Sequence, residues 1–365
     1  MPLRQLEIPK VGRVVPAVPY PRWRRCIYAI IGLSVLLCAM IPLATAIGSV
    51  QIPFSTTSSI LLSKLPLVDA NPAWPSTMET IILGIRLPRV ILAGIVGAAL
   101  SVAGATYQGL FRNPLADPYL IGVAQGAALG AVIGFLLPIG WQGLGLGFGI
   151  IPLFAFIGAL ASVSIVYGLS RVGRMLAVTR LILAGVALGS LLAAIVSYLI
   201  ITSGEKIHGI MFWLMGSFSL SQWSEVRIAL PAVAVGVTII MIHARSLNLI
   251  QLGEEQAQQL GISVEKLKVI LLVAATLITA AAVSFVGIIG FVGIIIPHIV
   301  RLIWGPDYRF LLPLSVLAGG VFLIVADIVA RTLMAPSEIP VGIFTAVCGA
   351  PFFLYLLRRR TKILF

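Results

Sequence analysis

The sequence predicts an all-α polytopic membrane protein with ten transmembrane helices, a short helix on the outer side and another on the cytoplasmic side. Three observations carry this. Hydrophobic residues make up 59% of the 365-residue chain and charged residues 10%, against about 25% charged in soluble domains; mean hydropathy is +1.10. Apolar runs long enough to cross a hydrocarbon core of about 30 Å recur along the chain. Lys and Arg fall mainly on one side of the topology that those runs define.

The first run, residues 26–48, contains an Ala-Thr-Ala at 44–46 that imitates a signal-peptidase site, but the apolar stretch is too long for a signal region and is expected to be retained. Further spans are predicted at 87–109, 118–137, 146–169, 179–202, 226–244, 267–287, 290–304, 310–333 and 341–357. Residues 1–25 precede them as a basic N-terminal segment, and 26–365 form one unit. An even number of spans puts both termini on one side. Assigning that side to the cytoplasm leaves 19 of the 25 Lys and Arg inside, while the 12 acidic residues split evenly. The net charge of +13 is therefore the positive-inside pattern of a membrane protein, and a nucleic-acid partner is not implied.

Between the spans, the outer loop 49–85 is kept irregular by Pro53, Pro66, Pro72 and Pro75. Residues 207–218 are apolar but too short to cross, and are expected to form a re-entrant or interfacial helix on the outer side. Small residues at every fourth position, Gly97, Ser101, Ala105 and Gly109, smooth one face of the second span for close helix packing. The segment 246–266 holds a polar island, GEEQAQQLGI at 253–262, on the inner side. Its Glu, Gln and Ala favour helix, and Gly253 and Gly261 punctuate it. It is either solvated linker or a docking element for a cytosolic protein.

Catalytic patterns are not found: no H-E-x-x-H, no G-x-S-x-G and no phosphate-cradling G-x-x-x-x-G-K-[ST] loop. Cys26, Cys38 and Cys348 have neither disulfide nor zinc spacing, and His208, His243 and His298 lie far apart. Charge inside a span is a stronger signal, because each such group costs several kcal/mol unless paired or wet. Asp327 and Arg331 are four apart and share a helix face; Arg86 and Arg89 stand at the outer entrance of the second span. These arginines either snorkel to headgroups or form an outward-facing positive set for an acidic partner. Gln108, Gln125, Ser197 and Thr276 are neutral candidates for lining a path.

The stretches IRLPRVILAGIVGAALSVAGATYQGLFRNPLADPYLIGV (85–123), the polar island, FVGIIIPHIVRL (291–302), ADIVAR (326–331) and EIPVGIFTAVCGAPFFLYLL (338–357) resemble the permease family of type II ABC importers, the FecCD/BtuC type. The resemblance runs from about residue 26 to the end. It implies a subunit working as a homodimer, or with a close relative, in the inner membrane of a prokaryote. Two cytosolic ATPase subunits carry ATP and Mg below it, and a substrate-binding protein docks above.

No cofactor is implied on this chain, and it is not itself an enzyme. Arg86, Arg89 and Arg331 match arginines that pair with glutamates of the binding protein, with Asp327 supporting Arg331. Asn113 and Leu115, with Val178 and Thr179, match the cytoplasmic gate; some relatives carry a small hydroxyl residue in place of the valine. Met211, Trp213 and Gly216 fall in the outer gating helix. Gly253, Glu254, Glu255, Gln258, Leu260 and Gly261 fall in the helix that couples to the ATPase.

The substrate the resemblance implies is first an iron complex such as a ferric siderophore, then cobalamin or another corrinoid, then haem. An ion-driven secondary transporter would instead want midplane carboxylates or broken helices, and Asp327 is the sole acid within a predicted span.

Overall fold

The computed structural model describes residues 22–48, 50–64, 74–138, 149–173 and 175–359. The basic N-terminal segment up to residue 21, and Pro66 and Pro72 of the first loop, lie outside these.

The fold is a bundle built around two deeply buried helices, Leu87–Leu110 and Val264–Val286. Helix α1 (Arg22–Ala46) is largely exposed on the outside of the bundle. Two short helices follow, α2 (Phe54–Leu62) and α3 (Ser76–Glu79), each starting directly after a proline, Pro53 and Pro75, whose fixed φ suits a helix entrance. From α3 the chain runs through a π-helical stretch, Thr80–Arg86, into α4 (Leu87–Leu110). The span expected at 87–109 is thus part of 35 continuous helical residues. Pro88 explains the π stretch: its ring clashes with the carbonyl four residues back and offers no N–H, and the helix widens immediately before it.

Helix α4 is apolar or small all round and is buried on nearly every face. Its small residues let neighbours approach to backbone contact. A Cβ on Gly97 would overlap the carbonyl of Gly319, and one on Gly104 the carbonyl of Gly293.

The segment read as one span at 118–137 begins with a 3₁₀ turn, Pro118–Ile121, capped by Asp117 through the Tyr119 N–H at 2.7 Å. Gly122, at φ 86°, turns the chain into α5 (Val123–Leu136). Helix α6 (Ile150–Ser170) packs on α5 where Gly126 meets Gly158. A two-residue antiparallel ladder, β1 (Arg171–Val172) with β2 (Met175–Leu176), leads into α7 (Val178–Ile201). Helix α7 is mostly exposed along its length.

The short helix expected over 207–218 is α8 (Ile207–Leu214), entered by a 3₁₀ turn at Gly204–Lys206 and ended by Gly216 at φ 73°. Then come α9 (Trp223–Ile242), α10 (Ala244–Ile250), α11 (Glu254–Gln259), α12 (Val264–Val286), α13 (Val292–Trp304), α14 (Tyr308–Thr332) and α15 (Val341–Arg359).

Among the described residues, seven helices are long and apolar enough to cross a membrane, and three more, Val123–Leu136, Val292–Trp304 and Val341–Tyr355, are apolar but shorter. The ten segments read from the sequence divide into these two groups. In α13 the shortening has a visible cause. The chain ahead of it is irregular, with Gly287 at φ 76° and Phe291 at φ 69°. Irregular backbone at membrane depth needs partners from the protein. The Tyr119 hydroxyl supplies them to Ile289, donating to its carbonyl at 3.0 Å and accepting from its N–H at 3.3 Å.

Candidate functional site at the two ends of the bundle

Helices α4 and α14 are antiparallel neighbours, so the start of one and the end of the other meet at the same end of the bundle. There the structure gathers Arg86, Arg89, Asp327 and Arg331. It also adds Glu338, from the loop before α15, which the sequence reading left without a role. Arg89 donates to Asp327 at 2.8 and 2.9 Å and to both Glu338 oxygens at 2.9 Å. The Ser219 hydroxyl, from the segment after α8, donates to Glu338 at 2.6 Å. Burial pushes the Glu338 carboxyl up, but its bonds from Arg89 and Ser219 outweigh that and leave it below the ordinary glutamate range.

Two expectations change here. The arginines do not form an outward-facing set: Arg86, Arg89 and Arg331 are only 6%, 7% and 4% exposed. Asp327 chiefly holds Arg89, with Arg331 Nε farther off at 3.5 Å. Sharing a helix face with Arg331 gave Asp327 a possible partner; the tight α4–α14 packing gave it a nearer one. The remaining guanidinium groups close the end of α1. The last carbonyls of a helix lack intrahelical partners and carry partial negative charge. Arg331 donates to Ala44 O at 2.6 Å, and Arg86 to Thr45 O at 3.2 Å, Ala46 O at 2.9 Å and Val50 O. The cluster holds three guanidinium groups and two carboxylates, an excess of one positive charge.

Helix α8 lies at this same end. Met211 and Trp213 are partly exposed on it, Ile210 is buried beneath, and Gly216 accepts the Gly342 N–H of α15 at 3.4 Å. An added Cβ on Gly216 would overlap the Ile288 carbonyl, so this turn is held against the irregular stretch before α13.

The opposite end carries the other predicted residues. Asn113 Oδ1 accepts the Leu115 N–H at 3.0 Å, building the turn after α4. Val178 and Thr179 open α7, Thr179 exposed. The 3₁₀ turn that follows Asn113 and Leu115, Pro118–Ile121, meets α7 where Gly185 packs on the Leu120 backbone. Burial pushes the Asp117 carboxyl up to about 6, against the lowering effect of its Tyr119 bond.

The polar island forms α11. Gly253, at φ 133°, opens it. Gly261, at φ 85°, closes it with paired bonds, Ile262 N–H to Ala257 O at 3.0 Å and Gly261 N–H to Gln258 O at 2.9 Å, a Schellman arrangement. Ala257 alone is buried; Glu255, Gln258 and Leu260 face outward. Its link to the bundle is Lys268, 2% exposed, whose ammonium donates to Glu254 at 2.7 Å and Glu265 at 3.0 Å. Neighbouring α10 is tied to α4 and α14: Gln251 donates to Gly109 O at 2.9 Å and Asn248 to Asp307 at 2.7 Å.

The neutral path candidates separate. Gln108 is buried and donates to Gly293 O at 3.1 Å, and Thr276 is buried against the Tyr107 hydroxyl at 2.8 Å. Ser197 is exposed on α7, and Gln125 lies half-buried beside Gly189. Among the described residues no three His, Cys, Asp or Glu gather where a metal ion could be held.

Charged side chains gathered at the two ends of a multi-pass apolar bundle fit a transport subunit. The model of the FecCD transport family matches residues 35–359, and the chain belongs to that family. Among its relatives is the cobalamin import system permease protein of Halobacterium salinarum, 43% identical over 90% of this chain and 95% of the relative. Another is the hemin transport system permease protein of Yersinia pestis, 41% identical over 80% of this chain and 87% of the relative. A solved structure described as an inward-facing metal-chelate type ABC transporter is 31% identical, covers 91% of this chain and 99% of its own, and superposes with a TM-score of 0.78. The chain is accordingly a multi-pass membrane permease of the ABC importer class, and its relatives are transport permease subunits.

Proposed function

We propose that this chain is the membrane subunit through which an ATP-driven importer passes an iron complex of the ferric siderophore type, delivered by a substrate-binding protein. The observation that carries the mechanism is the placement of two polar clusters at opposite ends of one closely packed helix pair. At one end Arg89 joins α4 to α14 through Asp327; at the other, α10 joins the same two helices through Gln251 and Asn248.

In this reading the arginine end faces outward and receives the acidic surface of the binding protein, its excess positive charge and the half-exposed Glu338 making it responsive to added carboxylates. Helix α8, with Met211, Trp213 and Gly216, gates that side. The α11 end, with both termini, faces the cytoplasm of a prokaryotic cell. Glu255, Gln258 and Leu260 contact one of two ATPase subunits that hold ATP and Mg, and Asn113, Leu115, Val178 and Thr179 form the inner gate. A second permease, favoured to be another copy of this chain, completes the path, and its place is on the exposed side of α7. ATP acts by binding one conformation better than the other, the only way a ligand shifts such an equilibrium.

A cobalamin or corrinoid substrate is the second reading, favoured by the extent of the match to the Halobacterium permease; the Yersinia relative makes haem the third.

The test is reconstitution in proteoliposomes with the ATPase and binding protein, comparing uptake of radiolabelled ferric siderophore, cobalamin and haem. ATP-dependent uptake of the iron complex is expected. Uptake of cobalamin alone would transfer the assignment to the second reading, and uptake on an ion gradient without the ATPase would overturn the importer mechanism.

A further inference from the structure

Lys268 is the feature the reading above does not use. A lysine ammonium in an apolar interior is costly unless fully paired, and this one is 2% exposed. It lies one turn into α12 and is held from three directions. Glu254, in the first turn of α11, accepts at 2.7 Å; Glu265, on α12 itself, accepts at 3.0 Å; and the carbonyl of Leu176 lies 3.5 Å away. The second oxygen of Glu265 accepts the Leu176 N–H at 2.7 Å. Both polar groups of the Leu176 peptide are therefore engaged by the same Lys268–Glu265 pair that anchors α11. Leu176 ends β2, and two residues later α7 begins with Val178 and Thr179.

Helix α11 otherwise meets the bundle through little besides Ala257. Helix α7 is mostly exposed; its first turn packs through Val178 and the buried Leu181, and the Leu176 bonds add a polar hold just ahead of it. We propose that Lys268 is a positioning residue for coupling: it converts a displacement of α11 into a displacement of the start of α7. The inference rests on the importer reading and assigns within it the residue that links the ATPase-facing helix to the inner gate. The alternative route, from α10 into α4 and α14, reaches α7 through the 3₁₀ turn Pro118–Ile121, which packs on Gly185, about two turns beyond the start of α7.

The experiment uses the assembled complex in proteoliposomes. Lys268→Met and Glu254→Gln are compared with wild type by substrate transported per ATP hydrolysed, and by the ATP-dependent change in accessibility of a cysteine at Thr179. Each single variant is expected to lower transport per ATP about tenfold and to abolish the change at position 179. The double variant is expected to be no worse than either single one, since both cut one link. Glu254→Gln removes a half-exposed charge and keeps the test open if Lys268→Met does not fold. Wild-type transport per ATP in Glu254→Gln, or multiplicative losses in the double variant, would overturn the proposal while leaving the importer reading intact. Absence of ATP-driven transport in the wild-type complex would instead sink that reading.

Discussion

Asp327 shows how one residue is fixed by cost. It is 1% exposed, and its carboxylate is tolerable there because Arg89 binds it through two nitrogens and Arg331 stands on its other side. Asp327→Ala leaves two buried guanidinium groups facing each other without their shared counter-charge, and is expected to destabilise the folded protein by about 3–5 kcal/mol, read by thermal unfolding in detergent. An unchanged midpoint would mean that the pair is not closed in the membrane. Asp117 is the opposite case, a buried carboxyl with one backbone donor. Its folded pKa, about 6, lies above the ordinary value of 3.8. Its contribution to stability is therefore full below the lower value and is lost as pH rises through the upper one. At about pH 7.5 the charged form costs about 3 kcal/mol. Asp117→Asn keeps an oxygen for the Tyr119 N–H and is expected to raise the unfolding midpoint at that pH, with the difference vanishing near pH 4.

At the scale of elements, close packing on α4 depends on the absence of side-chain atoms. Gly104→Val would drive its side chain into the Gly293 backbone, with an expected loss of about 3 kcal/mol or more. Gly32→Val on α1, where nothing lies within 4 Å, should stay within about 0.5 kcal/mol; equal effects at the two sites would refute the packing argument. The stripe Gly97, Ser101, Ala105 and Gly109 was legible because periodicity reports which residues share a helix face. The spans were legible because a hydrocarbon core sets a minimum length for an apolar run. What periodicity does not report is which other helix that face meets. Sequence therefore pairs Asp327 with Arg331 on its own helix, offers Glu338 no partner, and makes Gln108 a path candidate, where the structure has it donating to Gly293 O. Lys268 reads in sequence as one more cytoplasmic-side lysine, because its partners Glu254 and Leu176 lie 14 and 92 residues before it. The π stretch before Pro88 did have a local signal, the proline itself, within a helix longer than the span required.

Across the whole molecule, the two ends differ in kind. The arginine end closes helix termini onto one another with buried ion pairs and carbonyl caps. The α11 end presents an outward polar surface flanked by exposed Leu252 and Leu260, 58% and 59% accessible, anchored by one buried lysine. Exposed leucines beside a polar helix are unfavourable in water and are expected to be covered by another protein. This asymmetry makes orientation testable with one pair of labels. In a background lacking Cys26, Cys38 and Cys348, a cysteine at Gln258 on α11 and another at Leu220, 65% exposed beyond α8, should react with a membrane-impermeant maleimide from opposite sides of sealed vesicles. Gln258→Cys is expected to label only from the cytoplasmic side, and to lose that labelling when the ATPase is bound. Labelling of Gln258→Cys from the outside would invert the bundle and place the arginine cluster at the cytoplasm. Labelling from the correct side, but unaffected by the ATPase, would keep the topology and remove α11 from the contact. The result thus separates which way the chain crosses the membrane from how ATP reaches it.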